Sequence, residues 1–145
     1  MSAHDDFTPL DATAWVRANA GRFFRYGEFN SVEAACRLVA EALAAGAQDV
    51  EVLRVGQWHV VSSTSDWLPS PADTDAFRGL VPFPEGGQNA TRSEFLLTVF
   101  AKSVVVHTPG NATAITGEVD DDVVAALNAR GRARSVAFLG PDHGS

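Results

Sequence analysis

Cysteine, basic residues and long apolar runs are all scarce in this chain of 145 residues. Cys36 is the single cysteine, which excludes an internal disulfide and a cysteine-rich metal site. Eleven Lys and Arg residues against 18 Asp and Glu leave a net charge of −7, which disfavours binding to a nucleic-acid backbone. The longest apolar stretch, residues 95–106, is interrupted by polar side chains and is too short to cross a bilayer. The acidic N-terminus does not resemble a secretion signal, so the sequence predicts a cytoplasmic protein without a membrane partner.

Recognisable catalytic and cofactor motifs are missing as well. The chain has no glycine-rich phosphate motif and no histidine or cysteine spacing typical of zinc ligands. A nucleophilic triad assembled from Ser62 or Ser63, His107 and Asp66 lacks the Gly-x-Ser-x-Gly turn that usually exposes such a serine. We therefore expect no metal and no cofactor, and we favour a function other than catalysis.

The length and the apolar content, 46% of residues, are those of one soluble globular domain. We expect a single domain over residues 1–145, with flexible tails at 1–9 and 141–145. A first helix is predicted over residues 11–20 and a short one over 72–79.

A helix followed by a β-hairpin is predicted twice. In the first unit, Asn30 and Glu33 form a capping box, and Gly46 is a natural helix end. The inner face of this helix is predicted from apolar residues at helical spacing: Val32, Cys36, Val39 and Leu43. Cys36 is therefore expected to be a buried and inert thiol. Strands over 50–55 and 58–63 follow around a Gly56-Gln57 turn, in a register that pairs Val55 with Trp58.

The second unit begins with the capping box Thr91-x-x-Glu94. Residues 95–102 fit both a helical face and a strand alternation, and the cap favours the helix. Strands are predicted over 104–108 and 112–116, then a helix with acidic residues at its start and a last strand over 135–139. These elements predict an α+β fold: a mainly antiparallel sheet built from two helix–hairpin units, with helices packed on one face.

Two groups of residues are candidates for binding a partner or ligand. The segment 15–29 is dense in aromatic and arginine side chains, which are enriched at binding hot spots; its candidates are Trp15, Arg22, Arg25 and Tyr26. Clustered aromatics more often mark a buried core, and exposed rings would make this segment the leading partner site. The second group consists of Trp58, His59 and His107 on the strands and Arg92 in the Pro/Gly-rich loop 82–92. His59 and His107 lie on different hairpins and are candidates to meet in space.

These features favour a small binding protein that acts by protein–protein contact, similar in kind to a bacterial inhibitor or immunity protein. An acidic surface would steer a basic partner toward it. One alternative is a small α+β enzyme or accessory subunit that binds a small molecule between the sheet and the 82–92 loop. Another is a homodimer that covers a half-apolar sheet face or an edge strand.

Overall fold

The computed structural model describes residues 12–67 and 94–141. The predicted helix over 72–79, the loop 82–92 and nearly all of both predicted tails lie outside these ranges. The helices are α1 (Ala12–Ala18), α2 (Ser31–Ala44), α3 (Glu94–Phe100) and α4 (Asp121–Arg130), with a 3-10 turn at Ala20–Arg22. The strands are β1 (Glu51–Val55), β2 (Trp58–Ser63), β3 (Ser103–Thr108), β4 (Asn111–Thr116) and β5 (Arg134–Leu139).

The five strands form one antiparallel sheet in the order β1-β2-β5-β3-β4. The predicted α+β fold is therefore confirmed, and both helix–hairpin units are present as α2-β1-β2 and α3-β3-β4. The last strand lies in the centre of the sheet, where β5 pairs with β2 on one side and β3 on the other. Each hairpin thus depends on the C-terminal strand to complete its pairing.

Local sequence signals set the element boundaries. The Asn30 side chain accepts a hydrogen bond from the Glu33 backbone N–H at 2.9 Å, as the capping box predicts. Asp120 caps α4 by accepting from the backbone N–H groups of Asp122 and Val123. Gly131 ends α4 in the left-handed conformation, at φ +64°. The β1–β2 register is the predicted one, with Val55 opposite Trp58, and the ambiguous run after Thr91 forms the helix α3.

The predicted inner face of α2 is correct only at Val39, which is partly buried and packs against the core. Its buried residues are Ser31, Ala34, Ala35, Leu38, Glu41 and Ala42. Val32 and Leu43, by contrast, are 62% and 57% exposed, and Cys36 is exposed too. The alanines explain the difference, because a face of small side chains around Leu38 lets the helix lie close to the sheet. The bulkier stripe is left in solvent.

Apolar residues cover both faces of the sheet. On one face Val61, Val104, Val136 and Phe138 pack in a core shared with residues of α1, α2 and α3. The alternate strand residues point to the other face, where they pack with Val123 and Leu127 of α4: Trp58, Val60, Val105 and Ala137. The first three helices therefore lie on one face, and α4 covers the opposite one.

Candidate functional site

The two strand histidines lie on opposite faces of the sheet and do not meet. The register runs His59–Phe138–Val104 along one row and Ser62–Ser135–His107 along another, and these rows point to different sides. The expectation that His59 and His107 come together is therefore wrong. Strand alternation separates them.

His59 is buried on the face covered by α1, α2 and α3. Its ring stacks on Phe138 with an interplanar angle of 14° and centroids 5.4 Å apart. Burial lowers the pKa of His59 from its usual 6.5, and the nearby positive charge of Arg54 lowers this pKa further. Desolvation and the Arg54 charge both favour the neutral ring, which fits a residue that packs in the core.

A row of polar side chains lies beneath α4. His107 is fully buried, and its Nε2 donates to the side-chain oxygen of Asn128 at 2.7 Å. Ser135 lies between His107 and Ser62 in the register, while the Ser62 hydroxyl donates to Glu51 at 3.4 Å. Asp66 pairs with Arg134 at 2.8 Å. The Ser63 hydroxyl donates to the Gln48 carbonyl oxygen at 2.5 Å. The triad of Ser62 or Ser63 with His107 and Asp66 is therefore not assembled.

The aromatic–arginine segment divides into a buried and an exposed part. Phe24 is in the core, where Trp15, Phe23 and Phe29 pack against it while remaining partly exposed. Arg22 lies over the Trp15 ring at 5.8 Å from its centroid. Most aromatic side chains of this segment are therefore buried or partly buried, as expected for clustered aromatics.

Tyr26 is the exception in this segment, because 78% of its surface is exposed. The Arg25 guanidinium lies 5.9 Å from the Tyr26 ring centroid. The backbone N–H of Arg25 donates to the Glu33 carboxylate, which attaches this turn to the start of α2. Of the predicted candidates in this segment, Arg22, Arg25 and Tyr26 are exposed, and Arg92 of the second group lies outside the described residues.

A concave site lies where the β1–β2 turn meets the start of α4. It is a cavity of about 400 Å³. Its apolar wall is made by Trp58, Val55, Val123 and Leu139, and its polar lining by Gly56, Gln57, Asp120 and Asp122. We call this cavity the Trp58 pocket.

The polar side of the Trp58 pocket is acidic. The lining includes two carboxylates and no basic residue. Asp120 uses one oxygen as the α4 cap, whereas Asp122 is exposed. Glu118 and Asp121 lie close to Asp120 and Asp122 in sequence, so four carboxylates are concentrated at the start of α4. A bound cation would face an aromatic wall and carboxylates together.

The sequence indicated Trp58 but missed Asp122 as its neighbour. The sequence predicted Asp120, Asp121 and Asp122 at the start of the last helix, as charges that the helix dipole favours, and the structure has Asp120 as the cap with the other two in the first turn. The missing information was spatial, because about 60 residues separate Trp58 from Asp122 and the central position of β5 brings α4 over β2.

A second cavity of about 340 Å³ lies beside the aromatic–arginine segment. Phe29 and Phe100, whose rings stack at 6.0 Å, form part of its wall with Glu28 and Asn30. It carries one carboxylate and no other ionisable side chain in its lining. Its chemistry is accordingly less selective than that of the Trp58 pocket.

Comparisons with known proteins provide no relative: no family model, no curated protein and no solved structure matches the chain. Within residues 12–67 and 94–141, no three His, Cys, Asp or Glu residues group as metal ligands would. None of the helices described in those ranges has the length and apolar character needed to span a membrane.

Proposed function

We propose that this protein is a protein-binding module of the inhibitor or immunity type, and that its partner inserts a lysine or arginine side chain into the Trp58 pocket. The observation that carries this proposal is the combination of an aromatic wall and two carboxylates, Asp120 and Asp122, in one cavity. A lysine or arginine has the complementary form, an apolar stem with a cationic end.

The aromatic wall supplies part of the affinity. Trp58 is 6% exposed, so its packing holds the indole ring in one orientation where it lines the cavity. A guanidinium or ammonium over an indole contributes about 0.5–2 kcal/mol, more as the site is desolvated. Val55 and Leu139 lie beside the ring to contact the aliphatic stem.

The carboxylates are expected to make the pocket selective for a basic side chain and to raise the rate of association. Acidic residues at the start of α4 attract a basic partner from a distance, and this raises the association rate more than the final affinity. The effect belongs to exposed charges, so it weakens when the ionic strength rises and the screening length falls below about 10 Å. We therefore expect binding that weakens with added salt.

The decisive experiment compares Asp122→Asn with Asp121→Asn. Both changes remove one negative charge from the same helix turn, but only Asp122 lines the pocket. NMR titration with L-argininamide is expected to shift the Trp58 indole signal in the wild type and in Asp121→Asn. Asp122→Asn should weaken this binding about three- to tenfold.

The protein partner is then sought by affinity capture with the same three proteins. Capture that depends on Asp122 but not on Asp121, and that declines with salt, supports the proposal. Equal binding of the probe by both variants, or a partner retained by Asp122→Asn, would overturn it. Argininamide binding without any Asp122-dependent protein partner would instead favour the small-molecule alternative, although the 82–92 loop assigned to that site lies outside the described residues.

A further inference from the structure

The polar lining of the Trp58 pocket comes from two elements that are far apart in the chain. Gly56 and Gln57 belong to the β1–β2 turn, whereas Asp120 and Asp122 belong to the start of α4. Trp58 lies between them in the lining, together with aliphatic side chains. A group that enters the cavity therefore meets hydrogen-bond acceptors from two elements and an aromatic ring.

Three carboxylate oxygens at the start of α4 are available to a ligand. The Asp120 cap uses only Oδ1, which accepts from the backbone N–H groups of Asp122 and Val123. Within residues 12–67 and 94–141, neither Asp120 Oδ2 nor the two carboxylate oxygens of Asp122 accept a hydrogen bond or form an ion pair. Capping α4 thus leaves most of the acceptor capacity of these two side chains unused.

Gln57 adds a neutral acceptor from the β1–β2 turn. Its side chain is exposed, and its amide makes no hydrogen bond with the part of the chain that the structure describes. The neighbouring Gly56 differs, because its carbonyl oxygen already accepts from the Arg54 guanidinium at 3.4 Å. Gln57 is therefore the polar side chain through which this turn can bind a ligand.

We propose that the Trp58 pocket selects arginine over lysine and that Gln57 determines this specificity. The inference rests on the proposed function, a pocket for a basic side chain of a partner. The pocket offers four acceptor atoms: two oxygens of Asp122, one of Asp120 and the amide oxygen of Gln57. A guanidinium has five N–H donors spread along the edges of a plane, whereas an ammonium has three donors on a single nitrogen.

The planar shape of a guanidinium suits a pocket with two polar elements and one aromatic wall. Its face packs on the Trp58 indole while its edges donate to the α4 carboxylates and to Gln57. An ammonium concentrates its donors at one point, so donation to the carboxylates leaves less for Gln57. A guanidinium is also more weakly hydrated, so it loses less free energy on leaving water. Charge thus favours both side chains, and Gln57 favours arginine.

The expected selectivity is modest, because Gln57 and Asp122 are exposed and water competes for their hydrogen bonds. We expect L-argininamide to bind about three- to tenfold more tightly than L-lysinamide. Gln57→Ala should weaken argininamide about two- to fivefold and leave lysinamide nearly unchanged. Asp122→Asn should weaken both probes, because both use its charge.

NMR titration of the Trp58 indole signal with each probe tests the proposal. The probes share their α-amine and amide groups and differ only in the side chain. Gln57→Ala keeps Gly56, whose positive φ of +59° forms the turn. Gln48→Ala is the matched control: Gln48 is also exposed, lies outside the pocket and is held by backbone hydrogen bonds, so this variant should keep the wild-type ratio of dissociation constants.

The outcomes separate this inference from the proposed function. Equal dissociation constants for the two probes in the wild type overturn the selection of arginine and leave a pocket for either basic side chain. A preference for arginine that Gln57→Ala retains in full overturns the role of Gln57. Binding of neither probe overturns the proposed function and this inference together. A preference that declines in Gln57→Ala and persists in Gln48→Ala supports both.

Discussion

His107 of β3 and Asn128 of α4 are joined by a hydrogen bond of 2.7 Å between Nε2 and the side-chain oxygen. This bond attaches α4 to the sheet beside the buried apolar pair Val123 and Leu127. The other ring nitrogen of His107 has no hydrogen-bond partner among the described residues. The histidine therefore depends on Asn128 for the polar contact that its burial requires.

Asn128→Ala removes that contact, and we expect it to lower the free energy of unfolding by about 1–3 kcal/mol. Alanine is a better helix former than asparagine, so helix propensity alone would make the variant more stable. A loss of stability would therefore be attributed to the missing hydrogen bond. Denaturant unfolding followed by circular dichroism measures it. Unchanged or increased stability would mean that His107 satisfies its ring nitrogens in another way.

Arg134 and Asp66 provide a second stability test. The Arg134 side chain is 6% exposed, and its guanidinium donates two hydrogen bonds to the Asp66 carboxylate. Asp66→Asn removes the negative charge from this pair while Arg134 stays buried, so we expect a loss of about 1–2 kcal/mol, limited because Asp66 is itself half-exposed. Asp49→Asn weakens the pair with Arg132 at a carboxylate that is 69% exposed, and should cost less than about 1 kcal/mol. Equal losses in the two variants would contradict this explanation.

His59 is expected to make the protein less stable as the pH falls. Because its pKa in the folded protein is below its usual 6.5, the unfolded chain binds the proton more readily. The stabilisation from the neutral ring is complete above pH 6.5 and is lost as the pH falls from there through the folded pKa. Unfolding curves across this range should show a steeper loss for the wild type than for His59→Phe, which keeps the stacking on Phe138 but has no titrating ring. Parallel curves would exclude His59 as the cause.

Gly117 is predicted to be the least replaceable of the described glycines. A Cβ at this position would lie 2.4 Å from the Lys102 carbonyl oxygen and 2.8 Å from the Ser103 Cα, with φ at +71°. Backbone atoms cannot move aside as a flexible side chain does, so Gly117→Ala should cost at least about 3 kcal/mol. Gly110→Ala is the control, since φ is also positive there but no atom lies within 4 Å, and about 1–2 kcal/mol is expected. Thermal unfolding of the two variants gives the comparison.

Much of the local structure was predictable from particular residues. Asn30 with Glu33, Asp120, and the Gly56-Gln57 turn act within a few positions of their own sequence, so their effects do not require the rest of the fold. The exposed stripe of α2 was not predictable in the same way. Val32 and Leu43 have the spacing of a core face, but Ala34, Ala35 and Ala42 offer an alternative face, and periodicity alone does not choose between the two.

The sequence by itself determined the Asn30 cap of α2, the Gly56-Gln57 turn, the order of the described helices and strands and the register of the first hairpin, because these depend on neighbouring residues. Only the tertiary structure decided that β5 lies in the centre of the sheet, that α4 covers the face opposite to α2, and that Asp122 lines the same cavity as Trp58. These features depend on contacts between residues far apart in the chain. Strand pairing and side-chain packing depend on the fit of whole surfaces, which no local sequence pattern specifies. The Trp58 pocket, on which both proposals rest, arises from these long-range contacts.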